Sequence, residues 1–293
     1  MVDRGVVIRR HELTDSEWEL LAPLIPNASR GRPRAEDRRV VNGMVYKIRT
    51  GVSWRDLPER YGPWKSVYTR FRRYAIDGVF TRALQQIQAR ADAAGDIDWL
   101  VQIDSTIVRA HQHAAATGRK GGSTAPDEPD DHALGRSRGG LTAKIRLACD
   151  GRGRPLAVLL TPGQRHDSIC ARPLLERIRV PRTGLGRPRC RPGHVIADKA
   201  YSSRGFRAYL RKRGIGHTIP EKSDQKKHRR NRGRRGGRPT GFDRETYRRR
   251  NTVERCFNQL KGFRGIATRY EKTATSYEAA VTLASLLLWA RSI

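Results

Sequence analysis

The chain has 293 residues, which suggests about two domains or one large one, long enough to bury a core and to be an enzyme. Its 60 Lys and Arg outnumber its 29 Asp and Glu and give a net charge of +31, more than solubility requires, so we expect a polyanionic partner such as nucleic acid. The four cysteines occur singly, which argues against a zinc site or a disulfide framework and fits a reducing cytosol.

Helical spacing dominates the first ninety or so residues. Thr14 and Glu17 form a capping box that opens the first helix, and Pro26 ends it. A second helix has a continuous apolar face and closes at Gly51. That apolar face consists of Val40, Val41, Met44, Val45 and Ile48. We therefore predict an all-α, DNA-binding domain at 1–93.

Residues 53–75 have the pattern of a helix-turn-helix unit, in which two short helices flank a tight turn at Gly62 and Pro63. In that interpretation the second helix lies in the major groove of DNA and its basic, polar face contacts the duplex. The same pattern fits an ordinary helical hairpin, so both interpretations stay open. The candidate DNA contacts on the outer face are Lys65, Thr69, Arg70, Arg72 and Arg73.

The segment RGRPR at 30–34 resembles the core of an AT-hook, in which an arginine such as Arg32 enters a narrow A·T minor groove. Gly-Arg-Pro also occurs at 153–155, 186–188 and 237–239, and such repetition is expected in a chain rich in Gly and Arg. DNA binding by Arg32 is therefore a weak hypothesis, because Gly-Arg-Pro also occurs elsewhere in the chain.

The hydrophobic period changes from about residue 94, where DWLVQIDSTIVRAH alternates as a half-buried strand does. Two further strands follow, joined by a hairpin at Asp150 to Arg154. The later elements are a helix at 167–178, a strand at 194–198, a basic helix at 203–213 and a strand at 215–220. Strands interleaved with helices predict an α/β domain with a mixed sheet over 94–293. The Gly- and Pro-rich segment 118–140 is predicted to be a mobile loop.

Positive charge is concentrated between Lys222 and Arg250, with 13 Lys and Arg against three acids. The low-complexity run KKHRRNRGRRGGRP predicts a disorder-prone basic loop at about 222–243. Such a loop can be solvated charge alone, and it can also become ordered on phosphates. The two interpretations are compatible.

No segment predicts a membrane partner. The start MVDRGVVIRR lacks the apolar core of a signal peptide. The most apolar tract, Ala279 to Ala290, is too short to span a bilayer and is predicted to be a buried C-terminal helix. We therefore expect a cytoplasmic protein.

The stretch YRRRNTVERCFNQLK at 247–261 places one acid among cations. On a helical wheel, four polar residues share one narrow stripe beside an apolar face that would pack on the sheet. The polar residues are Tyr247, Arg250, Glu254 and Lys261, and the apolar face consists of Val253, Cys256, Phe257 and Leu260. The simplest interpretation of Glu254 is an i,i+4 ion pair with Arg250, worth roughly a few tenths of a kcal/mol.

Two further acids qualify by position, Asp104 in the first strand and Asp198 at the end of the strand HVIAD. Aspartates at strand ends are usually turn formers or caps, but with Glu254 they make three carboxylates from two strands and a helix. Hard oxygen ligands of this kind bind a pair of Mg²⁺ ions, which clamp the attacking and leaving oxygens in phosphoryl transfer. Surrounding cations would hold a DNA backbone against them. The combination favours a two-metal phosphoryl-transfer site.

Other polar residues are weaker candidates. His111 and His113 follow Asp104, but no Cys or His cluster lies nearby in the sequence, so we interpret them as polar strand-end residues or DNA contacts. Four acids in a Pro-interrupted loop make a poor rigid frame for a cation and are interpreted as solvated charge. They are Asp127, Glu128, Asp130 and Asp131.

The spacing Tyr-x2-Arg-x3-Glu-x6-Lys, filled by the four polar residues of 247–261, resembles the signature of bacterial insertion-sequence transposases of the DDE type. Other segments carry the same resemblance, which runs nearly end to end. They are IDST around Asp104, IADKAYSS around Asp198, GGLTAKIRLACD, and GVSWRDLPERYGPWKSVYTRF in the N-terminal region. The chain resembles a member of the insertion-sequence-five family.

This resemblance implies a ribonuclease-H-like fold, preceded by the helical domain. It implies that Asp104, Asp198 and Glu254 are the catalytic residues and bind two Mg²⁺ ions, for which Mn²⁺ can substitute. Water would first cut the phosphodiester at each element end, and the freed 3′-hydroxyl would then attack target DNA.

The resemblance also implies double-stranded DNA as the partner, bound by a homodimer or higher oligomer in the bacterial nucleoid. Tyr247, Arg250 and Lys261 would contact transposon-end DNA, and the N-terminal helices would recognise the terminal inverted repeats. One departure concerns the interval from Asp198 to Glu254, where the basic loop leaves no room for a long β-rich insertion.

Two rival functions stay open. A DNA-binding repressor or architectural protein would use the N-terminal helices with a catalytically dead body, and the presence of all three acids argues against it. A related nuclease would cut without joining, and joined product formed in Mg²⁺ would separate a transposase from it.

Overall fold

The computed structural model of the protein describes residues 10–26, 36–114, 131–137 and 139–292. The chain divides into two compact units. The first, which we call the helical unit, comprises Met1–Ile87, Val108–Ala143 and Gln259–Ile293, and the second, the sheet unit, comprises Gln88–Ile107 and Lys144–Asn258. The predicted DNA contact Arg32 and the loop acids Asp127, Glu128 and Asp130 lie outside the described residues.

Helices occupy the N-terminal region and the first strand begins at Leu100, as the change of hydrophobic period predicts. The helices are α1 (Asp15–Leu21), α2 (Asp37–Thr50), α3 (Trp64–Ile76), α4 (Val79–Ala93), α5 (Asp167–Glu176), α6 (Arg204–Lys212), α7 (Ser223–Asn231), α8 (Arg244–Arg248), α9 (Asn251–Lys261), α10 (Arg264–Ala267) and α11 (Ala274–Ala290). The strands are β1 (Leu100–Ala110), β2 (Gly135–Ser137), β3 (Gly140–Cys149), β4 (Pro155–Pro162), β5 (His194–Ala197), β6 (Gly216–Thr218) and β7 (Thr268–Arg269).

The start of the helical unit confirms the predicted capping box. The Thr14 hydroxyl accepts a hydrogen bond from the Glu17 amide at 3.1 Å, and the Glu17 carboxylate accepts one from the Thr14 amide at 2.9 Å. Gly51 ends α2 with a φ of 76°, which favours glycine, and the predicted apolar face of α2 is buried. The first short helix predicted within 53–75 is present as two 3₁₀ turns, Trp54–Asp56 and Glu59–Tyr61, ahead of α3.

The predicted C-terminal helix is confirmed as α11. Its apolar side chains are buried almost all round, and it packs against α1, α2 and α3 within the helical unit. The Thr273 hydroxyl accepts from the Ser276 amide and caps its first turn. In the described part of the chain, no helix is long and apolar enough to cross a bilayer.

The sheet unit contains a mixed sheet in the order β4–β3–β1–β5–β6. β5 is parallel to both β1 and β6, with Leu100 opposite His194 and Ile196 opposite Thr218. The predicted hairpin joins β3 to β4, and within it the Asp150 amide donates to the carbonyl of residue 154 at 2.9 Å. This mixed sheet with its helices confirms the predicted α/β class.

Two short strands belong to the helical unit. There β2 pairs antiparallel with the first residues of β3, and β7 pairs in parallel with the last residues of β1. The segment 118–140, predicted to be a loop, therefore contains β2 and the first residue of β3. In this pairing Gly135 lies opposite Thr142 and Ser137 lies opposite Gly140.

The basic segment 222–243, predicted to be a loop, contains the helix α7. Gln225 fixes the start of α7: its side chain accepts from the Lys222 amide at 3.2 Å and donates to the Ser202 carbonyl at 2.8 Å. The start of α7 depends on contacts between Lys222, Gln225 and Ser202. The low-complexity composition of the segment does not reveal these contacts. No long β-rich insertion lies between Asp198 and Glu254, as the sequence predicts, since β6 is the only strand in this fully described interval.

Candidate functional site

Two of the predicted acids lie at neighbouring positions in the sheet unit, Asp104 on β1 and Asp198 directly after β5. Ile103 of β1 pairs with Ala197 of β5, and Asp104 and Asp198 are the next residues along each chain. Neighbouring strands are about 4.8 Å apart, and residues in register point to the same face of the sheet. The two carboxylates are therefore held side by side in the sheet unit.

Local hydrogen bonds fix both aspartates. The Ser105 amide donates to Oδ1 of Asp104 at 2.8 Å, and the Ala200 amide donates to Oδ1 of Asp198 at 2.9 Å. Asp198 thus also caps the short 3₁₀ helix Lys199–Tyr201. Burial raises the pKa of Asp104, and the Asp198 carboxylate acts in the same direction, while the Ser105 amide and the Arg250 guanidinium oppose it.

The stretch 247–261 is interrupted, in contrast to the single helix assumed for the predicted stripe. α8 and α9 are separated by a turn at Arg249 and Arg250. There the Arg250 amide donates to the Tyr247 carbonyl at 3.0 Å and the Val253 amide donates to the Arg250 carbonyl at 3.2 Å, a spacing of three residues instead of four. Tyr247 therefore does not share the helical stripe of α9.

The face of α9 predicted to be apolar is nevertheless buried. Its members Val253, Cys256, Phe257 and Leu260 are each less than 7% exposed. This burial leaves Glu254, on the other side of α9, at the surface with 48% of its side chain exposed.

Arg250 joins the acid of α9 to the acid of β1. Its Nη1 donates to Oε1 of Glu254 at 2.7 Å, and its Nη2 donates to Oδ2 of Asp104 at 2.9 Å. Both nitrogens belong to one planar guanidinium, so the two carboxylate oxygens lie within about 8 Å of each other. The predicted i,i+4 ion pair is confirmed, but it is one half of a bridge that brings Asp104 and Glu254 to one site.

The three acids offer the donors that Mg²⁺ prefers. Asp104, Asp198 and Glu254 supply carboxylate oxygens, and the exposure of Glu254 leaves room for water and phosphate ligands. Among the described residues, no three His, Cys, Asp or Glu side chains approach closely enough to form a ready metal centre. Arg250 lies between Asp104 and Glu254 and donates to one oxygen of each. The donor set therefore fits a divalent metal by its chemistry.

Tyr247 lies close to this site. Burial raises the pKa of its phenol, Arg250 acts against that shift, and all three acids add to it, so the phenol is within electrostatic range of each of them. Its ring packs against Phe242 with centroids 5.1 Å apart. Lys261 is the half-buried last residue of α9 and belongs to the helical unit.

A second polar cluster, which we did not predict from the sequence, lies next to Asp104. Oδ1 of Asp167 accepts from Ser105 Oγ at 2.8 Å, from Lys144 Nζ at 3.1 Å and from Arg146 Nη1 at 2.7 Å. We call these four residues the Asp167 cluster. The sequence carries one signal for it, because Lys144 and Arg146 interrupt the apolar strand β3 at alternate positions, which share a face.

The helix α3 presents only part of its predicted DNA-contacting face. The exposed members are Lys65, Thr69 and Arg73. Arg70 forms an ion pair with Asp37 at 2.8 Å, and Arg72 donates to the hydroxyls of Thr273 at 3.0 Å and Ser276 at 2.7 Å. Contrary to the prediction, Arg72 therefore does not lie free on the outer face, because it is turned toward the first turn of α11.

The basic segment after β6 carries exposed cations on helical and turn backbone. An open groove here is lined by Asn231, Arg232, Arg234 and Arg235. These arginines lie in the sheet unit, which also holds the acids. Such a groove favours an anionic partner.

The weaker candidates His111, His113 and Asp131 make contacts within the protein. The rings of His111 and His113 lie 4.4 Å apart, and His111 also packs against Tyr270 at 5.0 Å. Asp131 accepts from the Ala133 amide at 2.8 Å, as a turn former does. The histidine contacts agree with the interpretation of His111 and His113 as polar strand-end residues, and of the four loop acids only Asp131 lies in the described part of the chain.

Comparison with known families identifies both parts of the chain. Residues 97–289, more than half of the chain, match a family described as "Transposase DDE domain". Residues 13–84 match a family described as "Putative transposase of IS4/5 family". The three predicted acids fall inside the first match, and α3 falls inside the second.

Individual relatives agree with these matches. A "Putative transposase for insertion sequence element IS6501" of Brucella ovis is 33% identical over 52% of this chain and 100% of its own. A "Putative transposase for insertion sequence element IS402" of Burkholderia cepacia is 30% identical over 60% of this chain and 83% of its own. The "Uncharacterized protein y4sN" of Sinorhizobium fredii is 39% identical over 39% of this chain and 89% of its own.

Among solved structures, the "Mos1 transposase paired-end complex with left transposon end" covers 81% of this chain and 82% of its own, with 12% identity and a TM-score of 0.24. The family assignment does not depend on that likeness. It follows from the match over 97–289 and from the relatives named for insertion sequences. The chain therefore belongs to the DDE transposases of insertion sequences.

Proposed function

We propose that this transposase cuts the DNA at the ends of its insertion sequence and transfers the freed 3′-hydroxyl to target DNA. The observation that carries the proposal is the bridge from Asp104 through Arg250 to Glu254, with Asp198 in register beside Asp104. Carboxylates from distant parts of the sequence thereby lie near one another, two of them joined through Arg250, in a chain whose net charge is +31. Arg250 offsets part of the repulsion between these like charges, and acids gathered in this way are typical of functional sites.

Asp104, Asp198 and Glu254 are the proposed ligands of two Mg²⁺ ions, for which Mn²⁺ can substitute. When bound, the ions would activate the attacking oxygen and stabilise the leaving one. The chain carries one proposed ligand on β1, one directly after β5 and one on α9, and Arg250 lies between the first and the third. Arg250 would release an acid and turn to a DNA phosphate, for which its planar fork is suited.

DNA contacts are proposed on both parts of the chain. The proposed contacts with transposon-end DNA are Tyr247, Arg250 and Lys261. The helical region at 1–93 would read the terminal inverted repeats through the exposed face of α3. Its exposed contacts are Lys65, Thr69 and Arg73. The region 94–293 is the proposed catalytic domain. We expect a homodimer or higher oligomer to act on DNA in the bacterial nucleoid, since a transposon has two ends.

The proposal is tested with end-labelled DNA that carries the sequences flanking the coding region, together with a supercoiled target. In Mg²⁺ the protein should release 3′-hydroxyl ends and then form joined product, and Asp104→Asn should form neither. Cleavage without joined product would make the protein a nuclease. Binding without cleavage in Mg²⁺ or Mn²⁺ would make it a DNA-binding protein and would overturn the proposal.

A further inference from the structure

The Asp167 cluster is built more tightly than a surface ion pair. Arg146 is wholly buried, and its guanidinium also donates to the Thr161 hydroxyl at 3.1 Å and to the Arg165 carbonyl at 2.7 Å. These contacts fix the guanidinium in one orientation, so Nη1 has Asp167 as its acceptor. A buried cation held in this way needs an ionised partner.

Asp167 supplies that charge. Burial by itself would raise the pKa of Asp167, but the hydrogen bonds from Ser105 and Lys144 and the charges of Lys144 and Arg146 outweigh it and lower the pKa. Asp167 also begins α5, where the helix dipole favours a carboxylate. The anion is therefore fixed from several directions and can act as a rigid acceptor.

Ser105 connects this rigid acceptor to the candidate metal site. Its hydroxyl donates to Asp167, while its backbone amide donates to Oδ1 of the preceding residue, Asp104. Ser105 thus contacts the cluster through its side chain and the carboxylate of Asp104 through its backbone. Movement of the Ser105 side chain would be passed to the amide that orients Asp104.

The cluster also lies beside the second aspartate. Asp198 caps the short helix Lys199–Tyr201, against which α5 packs. Tyr201 is almost fully buried there, and after burial itself the carboxylates of Asp104 and Asp167 contribute most to raising the pKa of its phenol. Asp167 therefore lies near both segments that carry the proposed aspartate ligands, the middle of β1 and the end of β5.

We infer that Asp167 is a positioning residue for metal binding, which acts through the Ser105 hydroxyl to hold the carboxylate of Asp104. The inference rests on the proposed function of the three acids. Residues that orient a metal ligand through a hydrogen bond typically change metal affinity by roughly 10- to 100-fold when removed. Asp167 itself does not touch metal or DNA in this account.

The test measures Mn²⁺ binding by the DNA-free protein, using the electron paramagnetic resonance signal of the unbound ion. Ser105→Ala, which keeps the Asp167–Arg146 pair, should bind Mn²⁺ roughly tenfold more weakly. Ser105→Thr keeps the hydroxyl and should restore most of the affinity. Ser203→Ala, which removes the cap of α6 in the same unit, should leave Mn²⁺ affinity unchanged.

Asp167→Asn should weaken Mn²⁺ binding in the same direction, and thermal denaturation shows whether this variant is folded. If Asp167→Asn is not folded, the Mn²⁺ affinity of Ser105→Ala alone tests the inference. Wild-type affinity in Ser105→Ala, while Asp104→Asn loses Mn²⁺, would overturn the inference and leave the proposed function standing. Equal Mn²⁺ binding by Asp104→Asn and the wild type would instead overturn the proposed metal site.

Discussion

Arg250 and Asp104 are 146 residues apart in sequence, yet they form an ion pair of 2.9 Å. The pair ties the turn between α8 and α9 to the centre of β1, and through the same guanidinium it reaches Glu254. Both side chains are mostly buried, so the cost of removing the two charges from water offsets much of their attraction, and the pair contributes little net stability. The effect of the pair is on position, because the Arg250 guanidinium fixes where Glu254 lies relative to Asp104.

The three acids should be individually essential for DNA cleavage. Asp104→Asn, Asp198→Asn and Glu254→Gln each remove one anionic ligand, so cleavage should fall by about 10³-fold or more, while binding to the element end is largely kept. Single-turnover cleavage and gel-shift titration measure the two properties. Glu245→Gln, an exposed acid in the first turn of α8, serves as the control and should cleave normally. Any of the three variants that stays active removes its residue from the site.

The planar guanidinium of Arg250 should contribute to the cleavage rate beyond its charge. Arg250→Lys keeps the cation but cannot pair with two carboxylates or a phosphate in the same bidentate way. Losing one charged hydrogen bond corresponds to roughly 10- to 100-fold in the cleavage rate. Arg248→Lys, two residues away and exposed, is the matched control. Wild-type cleavage by Arg250→Lys would mean that only the charge of Arg250 is used.

Substitutions of two cations of α3 should have different effects, one on DNA affinity and the other on the free energy of unfolding. Lys65 is exposed, so Lys65→Ala should weaken binding to the inverted repeat without changing stability. Arg72 holds the hydroxyls at the start of α11, so Arg72→Ala should lower the free energy of unfolding by about 1–2 kcal/mol, measured in urea. Equal loss of affinity for random DNA in Lys65→Ala would limit Lys65 to phosphate contact.

The basic segment should set the salt dependence of DNA binding. Affinity should fall steeply with added salt, and Arg234→Ala with Arg235→Ala should reduce the slope of log affinity against log salt by about one for each lost phosphate contact. Arg172→Ala removes an exposed charge on α5 that pairs with Glu176 and should leave the slope unchanged. A salt response that is flat in the wild type would contradict binding through phosphates.

Much of the fold follows from local sequence rules. The capping box at Thr14, the close of α2 at Gly51 and the hairpin after β3 are each decided by a few neighbouring residues, and the sequence predicts all three. The buried face of α9 follows from its period. The three acids were found by their positions and by the family resemblance, and the structure places them near one another through register and through Arg250.

What the sequence did not predict depends on contacts between distant residues. The turn at Arg249 interrupts a run with good helical spacing, and Asp98, which pairs with Arg249, lies far away in sequence. Arg72 is drawn off the outer face by hydroxyls some 200 residues later. The Asp167 cluster joins β1, β3 and α5, so no local pattern shows that Ser105 and Asp167 meet.

The most direct test of the metal site is anomalous scattering from Mn²⁺ in crystals of the protein bound to element-end DNA. We predict two peaks about 4 Å apart, coordinated by Asp104, Asp198 and Glu254, with Arg250 turned from at least one acid. Mn²⁺ bound elsewhere on the chain, with Arg250 still bridging Asp104 and Glu254 beside the scissile phosphate, would contradict the proposed chemistry.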